Sequence, residues 1–294
     1  MGTDSRRIQG PENSTSYLLH VEKPDLTDAE YIKRICPSNG VRACGRHMDE
    51  QRKVYMKTGV VSQAKGSAYL EQERTKVVCS VFDPREIPRK SEYSINGELY
   101  CEFKYAPFSC KKRRGHQQDS EEKQYSLMLR RALEPAVCRH EFPNFQVDVY
   151  VLVLENDGCA LAAAINSAAL ALADASVPMY DLVCAATLGI HGDMKFTDPT
   201  AEEEDLCNTT PQDGTNLNHG TVTATLLPTH QQISEYTQSG IMDIDSVTDA
   251  INILMKLCEA VYPLSKQCLV KHVARMSKKK MDVLLNTSAD RIVC

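Results

Sequence analysis

The strongest concentration of side chains that could bind a charged ligand is a basic cluster, formed by Lys111, Lys112, Arg113 and Arg114. Gly115 follows the cluster directly and leaves the segment free to reach a polyanion. Lysine and arginine bind the phosphates of nucleic acids through charge, without reading the base sequence. A solvated loop would carry the same residues. The cluster therefore predicts either a contact with a nucleic-acid backbone or a solvated basic loop.

Acidic residues form a second candidate site, because carboxylate oxygens are the usual ligands of Mg²⁺ and Ca²⁺. They lie in an acidic and polar insertion predicted over residues 197–218, and are Asp198, Glu202, Glu203, Glu204 and Asp205. Consecutive glutamates are more typical of a solvated loop than of a convergent ligand set. We therefore expect a solvated loop here, with no metal ion and no other cofactor.

Two arginines form a third candidate site. Arg46 and Arg52 flank the carboxylates of Asp49 and Glu50, just before the first predicted strands. Charges in such a segment commonly solvate the surface or pair with their neighbours. Alternatively, one of the two guanidinium groups binds a phosphate.

Cysteine usage and charge limit the class of protein. The chain has 12 cysteines in 294 residues, too few for a disulfide scaffold, and no two are spaced Cys-x-x-Cys as a zinc site would favour. The first ten residues lack the apolar segment of a signal peptide, so we expect an intracellular protein with reduced thiols. The formal net charge of −5 argues against a surface covered with nucleic-acid-binding groups.

The elements that must position these side chains begin with β-rich runs at residues 60–64, 67–71 and 75–81, with Gly66 near the first turn. Three such runs in succession predict an antiparallel meander. A charged loop follows at residues 111–122. Apolar residues then recur at helical spacing over residues 125–137.

The second half of the chain predicts further strands and helices. These are a strand at 146–154, a helix at 159–177, a strand at 180–190, a hairpin of 221–227 and 231–236, and a helix from about Asp245. The helix at 159–177 is very apolar, but Asn166, Ser167 and Asp174 interrupt it, so we predict a core helix and no membrane span.

Together these elements predict an α+β fold with duplicated mixed sheets packed against helices, although no sequence repeat demonstrates the duplication. We predict a polar extension at residues 1–36 that docks or stays mobile, a single large domain at 37–275, and a basic tail at 276–294. The lysines at 278–280 in that tail are either solvated or serve nuclear localisation or nucleic-acid binding.

Several separated blocks carry a family resemblance: residues 45–52 (GRHMDEQR), Gly59, 64–71 (AKGSAYLE), 75–77 (TKV) and 106–108 (APF). In this order they resemble the RNase PH family, which comprises phosphate-dependent 3′-to-5′ exoribonucleases and their ring-forming relatives in the RNA exosome. The resemblance implies an RNase PH-like fold, related to domain 2 of ribosomal protein S5. Residues 132–137, 168–175 and 179–183 are most similar to the mRNA-transport-defect type of exosome ring subunit.

The resemblance also bears on catalysis. Active family members carry a Thr-Arg pair that helps to bind phosphate, and aspartates before the last hairpin that serve catalysis. The matching positions here are Ala160 and Leu161 for the pair, and residues 218–222 (NHGTV), which hold no carboxylate. The resemblance therefore implies that the phosphate-binding and catalytic positions are lost and that the chain is not an enzyme.

The partners implied by the resemblance are other RNase PH-like ring subunits, cap subunits with S1 and KH domains, an associated catalytic ribonuclease, and RNA. The basic cluster at 111–114 would contact RNA, and the complex would occur in the nucleus, nucleolus and cytoplasm. Two alternatives stay open. The chain could be an active phosphorolytic exoribonuclease whose site is misaligned or completed by a partner chain, or a different RNase PH-like ring subunit of the same complex.

Overall fold

Two β-sheets separated by a central helix make up the computed structural model, which describes residues 28–37, 40–87, 93–111, 113–115, 117–211 and 217–290. The first sheet contains β1 (Val54–Thr58), β2 (Gly66–Gln72), β3 (Thr75–Glu86), β4 (Glu98–Tyr105) and β5 (Phe145–Glu155). Its strand order is β1-β2-β3-β5-β4, and β4 runs parallel to β5 while the other pairs are antiparallel. The predicted meander is confirmed as β1 to β3.

The second sheet is antiparallel throughout, with strand order β7-β6-β8-β9. Its strands are β6 (Cys184–His191), β7 (Met194–Thr197), β8 (His219–Leu227) and β9 (Gln232–Ile241). The helices of the described chain are α1 (Asp28–Ile35), α2 (Ser120–Leu133), α3 (Ala160–Asp174), α4 (Ala201–Cys207) and α5 (Ile244–Asp290). The predicted α+β class is confirmed.

Helix α3 forms the centre of the core, because it packs against both sheets and is buried from Ala160 to Leu172. Its alanines leave little side-chain bulk, so the strands of both sheets approach the helix closely. A helix that is apolar on nearly all sides is stable only when it is buried in this way. At Gly66, the first residue of β2, an added Cβ would lie 2.2 Å from the backbone nitrogen of Ala175. Asn166 joins α3 to the second sheet, because its side chain exchanges two hydrogen bonds with the backbone of Ala185.

Two predicted strands are wrongly placed. Residues 60–64 form the connection between β1 and β2, and the first strand lies at Val54–Thr58 instead. Gly59 ends that strand because its φ of +69° is incompatible with extended backbone. The strand predicted from residue 180 begins only at Cys184, since the Asp181 carboxylate accepts hydrogen bonds from the backbone N–H groups of Leu182 and Thr229 and holds this segment as a loop.

Helix α2 ends at Leu133, before Pro135, so Ala136 and Val137 lie beyond the helix that was predicted to include them. The N-terminal extension docks in its described part, because Ile35 of α1 packs with Leu206 of α4. Residues 1–27 lie outside the described chain.

Helix α5 crosses the predicted start of the basic tail at residue 276 without a break and ends at Asp290. Lys278 is exposed, and the side chains of Lys279 and Lys280 lie outside the described residues. In the described part of the chain, no helix combines the length and the apolar character that crossing a membrane requires.

Candidate functional site

A cleft of about 380 Å³ opens where the N-terminus of α3 meets the second sheet and α2. The first residues of α3, Ala160 and Leu161, form its base, and Thr221 and Thr223 of β8 form one wall. The remaining lining includes polar residues of α2, α4 and β9, among them Glu121, Gln124, Glu204, Asn208, Thr237 and Gln238. The cleft thus brings together the two segments, 160–161 and 218–222, that sequence comparison singled out.

The start of α3 offers no cation to the cleft. Ala160 and Leu161 are buried and present only a methyl and an isobutyl group. Cys159 before them adopts a left-handed conformation, with φ 53°, and its backbone N–H donates to Glu204 Oε1 at 2.7 Å. A helix N-terminus normally attracts anions. Here the Glu204 carboxylate occupies that position, so a phosphate would meet a negative charge.

The position of Glu204 disfavours the ionised form of its carboxyl group. Burial raises the pKa of its carboxyl to about 7, although the hydrogen bond from the Cys159 backbone acts in the opposite direction. The side chain is therefore partly protonated near neutral pH.

Glu204 and its neighbours were expected in a solvated loop, and that prediction is wrong, because residues 201–207 form helix α4. A capping box formed by Thr200 and Glu203 begins the helix. This Thr-x-x-Glu pattern is a sequence signal for a helix start that could have identified α4.

Among the described residues that line the cleft, none is a lysine, arginine or histidine. The second carboxylate of the lining, Glu121, accepts a hydrogen bond from Arg114 Nη2 at 2.9 Å. Charge in the cleft is therefore negative or internally neutralised, which disfavours binding of an inorganic phosphate.

The first two residues of the segment at 218–222 make structural hydrogen bonds, and a later residue lines the cleft. The Asn218 side chain donates to Ser246 Oγ at 2.8 Å and accepts from the backbone N–H of Asp243 at 2.9 Å, which fixes the entry to α5. His219 is buried, with Nδ1 2.9 Å from the carbonyl oxygen of Leu217. Thr221 is the residue of this segment that faces the cleft, and it supplies a hydroxyl in place of a carboxylate.

The residues of the basic cluster separate into different environments. Lys111 and Arg113 are exposed, and the Lys111 ammonium is 3.9 Å from Glu202. Lys112 lies outside the described residues. Arg114 is half-buried: its guanidinium lies 4.1 Å from the centre of the Tyr105 ring and pairs with Glu121. Burial acts to lower its pKa, but the hydrogen bonds and charges of Cys110 and Glu121 outweigh burial and raise it. Whether the cluster contacts RNA stays a prediction, and Lys111 and Arg113 are its exposed described members.

Arg46 and Arg52 are both buried, so the prediction that they solvate a surface segment is wrong. Arg46 bonds locally, to the Cys44 sulfur and the Glu50 carbonyl oxygen, whereas Arg52 forms a long-range ion pair. Arg52 pairs with Asp198 at 2.7 Å, and Arg42, which sequence reasoning missed, pairs with Glu203 at 3.3 Å. Arg52 also donates to the backbone carbonyls of Asp157 and Gly158, next to α3. The network therefore fixes the base of the cleft and pairs two of the five candidate metal ligands, Asp198 and Glu203, with arginines.

Within the ranges that the structure describes, no three His, Cys, Asp or Glu side chains converge as a metal site would require. Asp198 is held by three donors from protein groups, Arg52 N, Arg52 Nη2 and Gln72 Nε2.

Comparison with known proteins identifies relatives of this chain. The family model described as "3′ exoribonuclease family, domain 1", RNase PH, matches residues 50–178. The exosome complex component MTR3 of Mus musculus is 37% identical over 292 residues, which cover 94% of this chain and 97% of that protein. The exosome complex component Rrp41 of Thermococcus kodakarensis is 32% identical over 248 residues, covering 84% of this chain and 95% of that protein.

A solved structure shares the fold. A chain of the Archaeoglobus fulgidus exosome, solved with RNA bound to the active site, matches with a TM-score of 0.68 at 20% identity, over 80% of this chain and 95% of that one. The expected RNase PH-like fold is confirmed.

Proposed function

Because the chain belongs to the RNase PH family and is similar over most of its length to MTR3, we propose that it is a non-catalytic structural subunit of the RNA exosome core ring. In that role it supports 3′-to-5′ processing and decay of RNA by helping to form the channel through which RNA passes. The proposed neighbours are other RNase PH-like ring subunits, with S1/KH cap subunits and an associated catalytic ribonuclease completing the complex. The proposed locations are the nucleus, nucleolus and cytoplasm.

The start of α3 is the observation that carries the proposal. Phosphorolysis needs an inorganic phosphate held in line with the terminal phosphodiester, and thus preorganised cationic and N–H donors. Ala160 and Leu161 supply neither, and the Cys159 backbone N–H already donates to Glu204. Removing one donor of this kind typically costs about 2.7 to 4 kcal/mol, or about 100-fold to 1000-fold in rate. With no cation at 160–161 and no carboxylate in residues 218–222, no useful turnover is expected.

The edges of the two sheets support a role in assembly. The outer strands β4 and β9 carry exposed apolar side chains, including Tyr100 and Ile241. Unpaired strand edges with apolar side chains favour pairing with another chain. Neighbouring subunits in a ring would cover such edges.

The test of the absent activity is a phosphorolysis assay on the purified full-length chain. Labelled single-stranded RNA is incubated with the chain, with and without inorganic phosphate, beside an archaeal exosome preparation as the positive control. The proposal predicts no phosphate-dependent shortening by this chain at concentrations where the control degrades the RNA completely. Robust phosphate-dependent shortening would establish the alternative, an active exoribonuclease.

The role of the basic cluster is a separate part of the proposal. Lys111 and Arg113 are exposed and would hold RNA by charge, so Lys111→Glu combined with Arg113→Glu is expected to weaken RNA binding and to flatten its salt dependence. Filter binding of single-stranded RNA between low and moderate salt measures both effects. Lys256→Glu combined with Lys266→Glu, two exposed lysines on α5, changes the net charge by the same amount and is the matched control. An equal loss of affinity in both variants would mean that only overall charge matters and would remove the cluster from the RNA path.

A further inference from the structure

Cys44 is the exposed thiol among the described cysteines, the others being half-buried or buried. It lines a surface groove of about 420 Å³, together with Arg74 and Lys111 as well as acidic residues, so a small solute can reach it. Arg46 Nε donates to the Cys44 sulfur at 3.2 Å. Accessible thiols beside a positive charge are the ones that react with oxidants.

Arg46 provides the second observation, because its guanidinium is buried and one of its nitrogens lacks a hydrogen-bond acceptor. The residue is only 6% exposed, and no described carboxylate lies within ion-pairing distance of it. Its Nη1 donates to the carbonyl oxygens of Glu50 and Asp198, but its Nη2 has no hydrogen-bond partner in the described chain. Arg42 and Arg52, by contrast, each have a carboxylate. A buried donor of a charged group without an acceptor is costly.

The position of this orphan donor indicates what it could bind. The Nε–H and one Nη2–H of a guanidinium point in the same direction and form a fork that matches two acceptor atoms. Since Nε already donates to the Cys44 sulfur, one Nη2–H points from the guanidinium toward the same side as that sulfur. An oxygen atom attached to the sulfur would complete the fork.

We propose that Cys44 is a peroxide-reactive cysteine whose sulfenate oxygen is bound by the Nε and Nη2 fork of Arg46. The oxidant is hydrogen peroxide. The Cys44 thiolate attacks one peroxide oxygen, the S–O bond forms as the O–O bond breaks, and the second oxygen leaves as hydroxide and takes up a proton to become water. The sulfur is oxidised from thiolate to sulfenic acid, and the peroxide is reduced. Loss of the sulfenic proton gives the sulfenate that Arg46 holds.

A second thiol in the same molecule provides an internal comparison. Cys110 also accepts a hydrogen bond from an arginine, because Arg114 Nε lies 3.3 Å from its sulfur. There the fork is already occupied, since Arg114 Nη2 donates to Glu121 at 2.9 Å and Asp119 lies nearby. Cys110 should therefore react more slowly than Cys44.

The test measures oxidation of individual thiols in the full-length, fully reduced chain. Hydrogen peroxide is added, loss of each free thiol is followed by differential alkylation and peptide mass spectrometry, and dimedone adducts identify sulfenate. We expect Cys44 to be oxidised at least about tenfold faster than Cys110. Unfolding the chain in urea should slow oxidation of Cys44, since the fork is lost, whereas the buried cysteines should react faster.

Arg46→Lys, which keeps the charge but removes the fork, should slow oxidation of Cys44 about tenfold while Arg114→Lys leaves it unchanged. If Arg46→Lys does not fold, the comparison of folded and unfolded wild type decides. A rate for Cys44 that rises on unfolding, or that equals the rate of Cys110 in the folded chain, would overturn the proposal.

Discussion

Replacing Asp198 by Asn tests whether the buried network under α3 holds the two halves of the molecule together. Its carboxylate pairs with Arg52 Nη2 at 2.7 Å and also accepts the backbone N–H of Arg52 at 3.0 Å and Gln72 Nε2 at 2.6 Å. Asp198 has φ 51°, a conformation that asparagine tolerates well. The variant therefore removes the charge without adding backbone strain.

The expected loss follows from the uncompensated guanidinium that remains. Arg52 and Asp198 are both almost fully buried, and removing one partner of a buried ion pair costs about 3 to 5 kcal/mol. For a chain of this size, that corresponds to a fall in melting temperature of about 6 to 20 °C. Circular dichroism is the appropriate readout, because the chain contains no tryptophan. Asp205→Asn, an exposed carboxylate on the following helix α4, should change stability by less than about 0.5 kcal/mol.

The pH dependence provides a second check on the same variant. Burial alone would raise the pKa of Asp198, but the charge and hydrogen bonds of Arg52 hold it below its usual value. A carboxyl with a lowered pKa contributes stability above its unfolded pKa, near 3.9, and loses that contribution as the pH falls through the folded pKa. The difference between wild type and Asp198→Asn should be complete at pH 7 and shrink below about pH 4. A variant that melts with the wild type at pH 7 would refute the reasoning.

Two further changes probe the cleft and the core. The pKa of Glu204 is raised to about 7, chiefly by burial, so wild-type stability should fall as the pH rises from about 4.5 through 7. Glu204→Gln can still accept the hydrogen bond from Cys159 but cannot ionise, so it should abolish that fall. Urea unfolding at pH 5 and pH 8 measures the difference. Gly66→Ala should destabilise the chain by about 1 to 3 kcal/mol, because its Cβ would collide with the backbone of Ala175. Gly115→Ala, with no atom within 4 Å of the new Cβ, should be nearly neutral, and equal melting of the two alanine variants would contradict the packing at Gly66.

Sequence periodicity predicted the central elements because local pattern and global packing agree there. Helix α3 is apolar on nearly every side, as a buried helix can be, and β8 alternates threonine with apolar residues over 221–226, as the period of a strand requires. The first strand was misplaced because Val60 and Val61 favour β structure locally, whereas the positive φ of Gly59 ends the strand before them. Backbone conformation at one glycine overrode side-chain propensity.

The buried charges could not be predicted from local sequence, since their partners are distant along the chain. Arg52 and Asp198 are 146 positions apart, and each alone resembles a surface charge. The proposed loss of the phosphate clamp, in contrast, follows from the family resemblance, because it depends on residue identity at Ala160 and Leu161. That Glu204 occupies the helix N-terminus there required the three-dimensional structure.

The central claim, that this chain is a structural ring subunit, is tested most directly by native mass spectrometry of the tagged protein purified from its own cells. We predict one copy of the chain in a hetero-oligomer with several other RNase PH-like proteins. Recovery as a monomer or as a ring of identical copies would contradict the claim.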